Sequence, residues 1–207
     1  MKKQSIYEHT RAVYNKLGKQ YIKDSKKLDP IERLAFVKNF TKGSHILDVG
    51  CGGGRDSKFF ATSGMYTTGI DASDVFIDEA RKTIPKAKFI QGDLLKIPFP
   101  NNSFDGIWSQ AVLHHLKRSD IPKAIKKFHR IMKPGGLLHI RVKKGSGEGY
   151  EKEKLSRWND RFYTYVSKKE LGEYLKDAGF KIVQSGIFPD QLKRKNMNWI
   201  LFWARKS

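Results

Sequence analysis

Cysteine is almost missing from this chain: Cys51 is the single one in 207 residues. No intramolecular disulfide and no cysteine-based metal site can be built from it, which fits a reducing compartment. No apolar run approaches the roughly 20 residues of a membrane span. The opening MKKQSIYEHT carries two lysines but no apolar stretch behind them, so no secretory signal is expected and the protein is read as cytoplasmic. Proline (7) and glycine (18) are not in excess and hydrophobic residues make up 39%, which excludes collagen-like and disordered classes. The six histidines show no ligand spacing beyond one adjacent pair, so no metal is expected. Acids are also short, 21 against 41 Lys plus Arg, leaving a net charge of +20. Such a field attracts polyanions, but a surface solubilised mainly by lysine has the same total.

The length predicts one domain over 1–207, since domains hold roughly 100–200 residues. No repeat or low-complexity linker divides it. The first forty residues have helical spacing, with Pro30 placed to open a second helix at Ile31–Phe40. Strands and helices then alternate. Strands are expected at His45–Gly50, Tyr66–Asp71, Ala87–Asp93, Phe104–Gln110 and Leu137–Val142. Helices are expected at Arg55–Thr62, from a Ser73 cap through Thr83, and at Ser119–Met132. Lys133-Pro134-Gly135-Gly136 reads as the stop of that last helix. A polar insert follows, then a helix at Lys168–Ala178 and strands at Phe180–Phe188 and Trp199–Arg205. This alternation implies a mostly parallel sheet with helices on both faces. The last two strands, joined by a loop around Pro189–Met197, suit an antiparallel hairpin at a sheet edge. In Ser119–Met132, Ile121, Ile125, Phe128 and Met132 form an apolar stripe, while Lys123, Lys127 and Arg130 form a basic one read as a solvated face.

The strongest local signal is Leu47-Asp48-Val49-Gly50-Cys51-Gly52-Gly53-Gly54-Arg55-Asp56, between an apolar strand and a helix. Glycine there permits a tight turn and close approach of a ligand, and the helix start offers free N–H groups. Ligands of open α/β sheets bind at the carboxyl ends of the strands. Asp71 ends the second strand, about 20 residues past the loop, where a carboxylate can meet ribose hydroxyls. Asp93 is expected to end the third. The dinucleotide fingerprint G-x-G-x-x-G/A fails, because its last position falls on Arg55.

The pattern Asp48-x-Gly50-x-Gly52-x-Gly54 resembles motif I of the class I S-adenosylmethionine-dependent methyltransferases. Gly69-Ile70-Asp71-Ala72-Ser73, Gly92-Asp93-Leu94, Phe104-Asp105-Gly106-Ile107-Trp108-Ser109, Leu113-His114-His115-Leu116 and Met132-Lys133-Pro134-Gly135-Gly136 are similar to further segments of the same family, in order. The resemblance implies an α/β fold with a doubly wound, seven-stranded, mostly parallel sheet, the Rossmann-like methyltransferase fold, with its last strand antiparallel. It implies S-adenosyl-L-methionine as cofactor. Asp48, Gly50, Cys51 and Gly52 would hold its methionine portion, Asp71 with Ala72 the ribose, and Asp93 with the Leu94 N–H the adenine. Ser109 and Gln110 would lie beside the sulfonium. Arg55 and Asp56 would touch the methionine carboxylate or brace the loop.

His114 and His115 are the candidate catalytic residues, as base or as orienter of the acceptor, against the alternative that they only pack. Two segments are expected to close the site. One is the helical region 1–40 with Tyr14 and Tyr21 facing the cofactor. The other is the insert 144–166, in which Gly145-x-Gly147-x-Gly149 reads as a hinge and Trp158, Phe162, Tyr163 and Tyr165 as either an aromatic wall or a satellite cluster. The acceptor is expected to be a small molecule. The alternative is RNA, since LHHL and the basic, aromatic insert are similar to features of wobble-uridine tRNA methyltransferases, and aromatics with Lys and Arg suit unpaired bases and phosphates. Nothing in the sequence indicates an oligomeric state.

Overall fold

The computed structural model describes residues 5–25, 32–153, 156–191, 194 and 197–207. Helices α1 (Ile6–Ser25) and α2 (Glu32–Val37) precede an alternation of β1 (His45–Val49), α3 (Arg55–Thr62), β2 (Tyr66–Asp71), α4 (Asp74–Thr83), β3 (Lys88–Gln91), β4 (Phe104–Gln110), α5 (Ile121–Ile131) and β5 (Met132–Lys143). Then come β6 (Glu148–Lys152), β7 (Asp160–Thr164), α6 (Lys168–Asp177), β8 (Phe180–Pro189) and β9 (Asn198–Lys206). Pro30 and Ile31, expected to open the second helix, lie outside the described residues.

Seven strands form one sheet in the order β3-β2-β1-β4-β5-β9-β8, and β9 runs antiparallel to both neighbours. Strand order reverses between β1 and β4, so their carboxyl ends open the crevice that such sheets offer to ligands. The α5 stripe behaves as its period demands: Ile121, Ile125 and Phe128 are buried against the sheet, each contributing roughly 1.5–3 kcal/mol. Arg130 departs from the solvated basic face. It turns onto the 97–101 loop and donates to the carbonyls of Phe99 and Ile97, satisfying buried acceptors that no ladder reaches.

Three boundaries shift for local reasons. β3 stops at Gln91, two residues before Asp93, because Asp93 instead caps a short 3₁₀ turn and accepts from the Leu95 amide at 2.8 Å. α5 begins at Ile121 with Pro122 in its first turn, after a 3₁₀ turn at Arg118–Asp120. The segment expected to stop that helix belongs to β5: Met132 pairs with Phe104, and a bulge before Gly106 absorbs Pro134 and the two glycines. A second bulge lies on β8, where Val183 is the extra residue between pairs Ile182–Ala204 and Gln184–Trp203.

The insert is more ordered than its polarity suggests. β6 and β7 form a separate antiparallel hairpin. β7 packs against α1 and against the 3₁₀ turn Leu113–His115. The other side of α1 lies on α4, where Ser73 caps α4 by accepting from the Phe76 amide and donates to Asn15 at 2.6 Å. α1 is kinked at Gly18, whose φ of 50° and ψ of −136° break the helical path; a residue with a Cβ is strained there.

Candidate functional site

The loop after β1 is held by its own sequence. Gly50 has φ 68°, and a Cβ there would stand 2.5 Å from Val112. The Gly50 and Cys51 amides donate to the Ile70 carbonyl at 2.8 and 3.1 Å, tying the loop to the end of β2. Asp71 accepts from the Gly52 amide and from the Ser73 amide, both at 2.9 Å. Burial raises its pKa while those amides oppose the rise.

Asp48 is buried and accepts from the Ser57 hydroxyl at 2.6 Å. Burial, then the neighbouring Asp56, pushes it up to about 8. Arg55 braces the loop: it grips both oxygens of Asp56, at 2.8 and 3.0 Å, and donates to the Ser25 carbonyl at 3.0 Å. Asp56 also accepts from Trp108 Nε1 at 3.0 Å and from Arg33 at 3.2 Å. Cys51 is buried with its thiol pKa raised by burial and then by Asp48, so it holds its proton.

Past β4, a hydrogen-bond chain fixes a polar group at the strand end. Trp203 Nε1 donates to His139 Nδ1 at 2.8 Å, so the other ring nitrogen carries the proton and donates to Gln110 Oε1 at 2.8 Å. Gln110 therefore keeps its NH₂ group without a partner among the described residues. Ser109, one residue earlier, is buried, and its hydroxyl has no partner among the described residues.

The adjacent histidines part company in the 3₁₀ turn. His115 Nδ1 lies 2.8 Å from the Phe162 carbonyl, so that nitrogen donates. Its Nε2 is then the acceptor for the Tyr14 hydroxyl at 2.8 Å, and Arg161 donates to the same hydroxyl at 2.5 Å. Burial and then Arg161 lower His115 to about 3, keeping it neutral. His114 is buried beside Tyr163 and Trp199 with its pKa depressed by burial, and its Nδ1 has no partner among the described residues.

Beyond this pair lies a group of charges that sequence reasoning missed. Glu153 accepts from Arg161, from Tyr163, from Arg194 at 2.5 Å and from Lys143 at 3.4 Å. Burial would raise its pKa, but Lys143 and Arg161 bring it below the ordinary value. Asp190 accepts from Arg194 and from Trp199 Nε1 at 2.7 Å. Arg141, beside the Trp199 ring, donates to Glu32 at 2.8 Å. One signal in the sequence could have found part of this: His139, Arg141 and Lys143 alternate with apolar residues, a polar face on a strand otherwise read as core.

A cavity of about 1120 Å³ joins these features. Asp48, Gly50, Cys51, Gly52 and Arg55 form one wall, and Asp71, Ala72, Asp93 and Leu94 continue it. Tyr14 and Tyr21 of α1 cover it, and Gln110, His115, Arg141, Arg194 and Trp199 form the far end. The structure brings every expected site residue to this wall except Ser109 and His114. The insert contributes none of its aromatics: Phe162 and Tyr163 are buried behind Tyr14 and His115, and Trp158 points outward with 67% exposure. The satellite-cluster reading of the insert thus describes its packing better than a lining wall does.

Residues 47–140 match a family described as a methyltransferase domain. A methyltransferase of Encephalitozoon cuniculi is 31% identical over 175 residues, spanning 76% of this chain and 80% of that protein. An uncharacterised methyltransferase of Synechocystis sp. is 28% identical over 163 residues, 77% of this chain and 75% of that one. Among solved structures, the 1,6-didemethyltoxoflavin-N1-methyltransferase of Burkholderia thailandensis superposes with a TM-score of 0.76 at 20% identity. It covers 96% of this chain and 88% of its own, and holds 1,6-didemethyltoxoflavin and S-adenosylhomocysteine.

Proposed function

Because the chain belongs to the class I S-adenosylmethionine-dependent methyltransferases, we propose that it passes the cofactor's methyl group to a small-molecule acceptor enclosed beneath α1. The observation that carries this reading is the continuity of the cavity, from the glycine loop past Gln110 to Trp199. Its 1120 Å³ exceeds the roughly 300–1,000 Å³ of common ligand pockets, which leaves room for two molecules end to end.

The residues fit the cofactor. A bare loop backbone at Gly50–Gly52, a carboxylate at the end of β2 and another in the turn past β3 suit a nucleoside joined to an amino acid. In this reading Asp71 and Asp93 receive the ribose and adenine ends, with Ala72 and Leu94 at their sides. Asp48, close to Gly50, receives the ammonium of the methionine portion. Arg55 and Asp56 brace the loop. Tyr14 and Tyr21 cover the cofactor, with α1 as lid. The cofactor supplies an electrophilic methyl group, so the chain's own work is to orient the acceptor and exclude water. Gln110, held by His139, offers an oriented donor at the β4 end. His115 holds Tyr14 in place, because its lone pair is already occupied. Positioning of this kind can supply roughly 7–11 kcal/mol of a barrier.

An RNA acceptor needs exposed aromatics beside unpaired cations. Phe162 and Tyr163 are buried, the exposed Trp158 and Tyr150 lie off the cavity lining, and Arg130 is committed to a loop, so the small acceptor is favoured. The Burkholderia enzyme's small ligand supports the same reading. The test is calorimetry with S-adenosylmethionine and with NAD, followed by labelled methyl transfer to separate pools of small metabolites and of RNA. Binding of the first cofactor alone and label in the small-molecule pool are expected. Label confined to RNA would overturn the acceptor assignment.

A further inference from the structure

Among the described residues, the far end of the cavity carries four cations against three carboxylates. Arg141 and Lys143 sit two residues apart on β5 and share one face of it. Their side chains are 6% and 3% exposed, and that of Arg161 is 2% exposed. Arg194, at 22%, completes the set. Glu32 answers Arg141, and Asp190 answers Arg194. Glu153 is shared by Lys143, Arg161 and Arg194. Among the described residues one positive charge is left without a counterpart in a region largely withdrawn from water, where an unmatched charge is costly.

The cofactor end has no such excess: Asp56 and Asp71 stand against Arg55 and Arg33, and Asp48 holds its proton, so the far-end charge does not serve the loop. Two of the four cations, Arg141 and Arg194, line the cavity itself. Among the described residues Arg141 makes a single hydrogen bond, through one of its five N–H groups. Its remaining donors are held in a fixed plane beside the Trp199 ring, and a guanidinium in that state is suited to a second, two-point partner. Arg141 also pairs in register with Gln110, one strand spacing away. A ligand group on Arg141 would leave the rest of its molecule beside Gln110 and His115.

We infer that the methyl acceptor carries an anionic group, a carboxylate or a phosphate monoester, received by Arg141 and Arg194 at the β5 end of the cavity. This rests on the methyl-transfer reading above. One monoanion restores neutrality to the cluster, and the Trp199 and Tyr14 rings flank the space into which the acceptor's body extends.

The test uses full-length protein saturated with S-adenosylhomocysteine, so that the cofactor's own carboxylate site is filled. Inorganic phosphate and acetate are titrated separately at constant ionic strength, with chloride as the control anion. One of the two is expected to bind, which also tells phosphate from carboxylate. Arg194→Gln and Arg141→Met should each weaken that binding about tenfold or more, the scale of a lost charge-assisted hydrogen bond, with S-adenosylhomocysteine affinity unchanged. Arg194 is partly exposed, so its variant remains informative if Arg141→Met, which strands Glu32, fails to fold; the double variant with Glu32→Gln removes that stranded charge. Absence of binding by both anions, or binding untouched by both substitutions, overturns the inference. Failure of S-adenosylhomocysteine itself to bind would instead sink the methyl-transfer reading, and the same titrations on ligand-free protein would still report on the two arginines.

Discussion

The two ends of the cavity are built in different ways. The cofactor end takes Asp48, the glycines, Arg55 and Asp56 from nine consecutive positions and adds Asp71 at the next strand end. The far end draws on α2, β5, β7 and the segment before β9, and its residues meet only because strands return to neighbouring places in the sheet. The first end is close to charge balance and braced by backbone amides and Arg55; the second is basic among the described residues and braced by side chains. A recurring loop can serve one recurring ligand, whereas an acceptor site assembled from separate elements can change one element at a time.

Substitutions should separate the two ends. The largest effect is expected from Glu153→Ala, which strands Lys143, Arg161 and Arg194 around a removed carboxylate. Breaking such a buried set costs about 3–5 kcal/mol, visible as a large fall in melting temperature, with cofactor affinity retained in the protein that folds. Equal losses at both ends would show that they are not independent. Asp71→Ala should weaken S-adenosylhomocysteine binding roughly tenfold to a hundredfold in calorimetry; unchanged affinity would remove Asp71 from the ribose.

Cofactor affinity should also depend on pH through Asp48. Its raised pKa means that it keeps its proton below about 8, while an ammonium partner requires the carboxylate. Affinity should therefore climb with pH, by up to about tenfold per unit, and level off above the pKa. Asp48→Asn should flatten the profile, and an unaltered slope in that variant would place the titrating group elsewhere. For folding without ligand the sign is the reverse: the proton is held more tightly in the folded state, so this group's contribution to stability declines as pH rises towards 8. A smaller effect is expected for Tyr14→Phe, about 1–3 kcal/mol of stability from the partner lost to His115 and to the buried Arg161, with methyl transfer retained. A complete loss of turnover with normal folding would give the Tyr14–His115 pair a chemical role beyond positioning.

The contrast also explains what the sequence revealed. The succession of strands and helices along the chain was legible because each carries its own period and, as at Ser73, its own cap; the seven-stranded sheet with its last strand antiparallel came from the family resemblance. The glycine loop and the strand-end acids were legible because their spacing is local. The division of labour between His114 and His115 was not, since neighbours in a 3₁₀ turn diverge according to what packs on them. Arg161 and Arg194 stand far from Arg141 in the chain, and among 41 basic residues nothing marks those two as ones the fold turns inward; of the three arginines only Arg141, alternating with apolar residues beside His139 and Lys143, carried a signal. The β6–β7 hairpin was hidden by its composition, because its outward side chains are polar.

The bulge on β8 has a bearing on how copies of the molecule meet. β8 is the outer strand of its sheet, ten residues long, and Val183, Ile187 and Phe188 are 55%, 47% and 38% exposed along it. A straight, apolar rim of that length would be a template for cross-chain zipping. The extra residue at Val183 spoils the even spacing of amides and carbonyls that an incoming strand must match. One supernumerary valine thus acts as a guard on colloidal behaviour, together with the mutual repulsion of chains at +20.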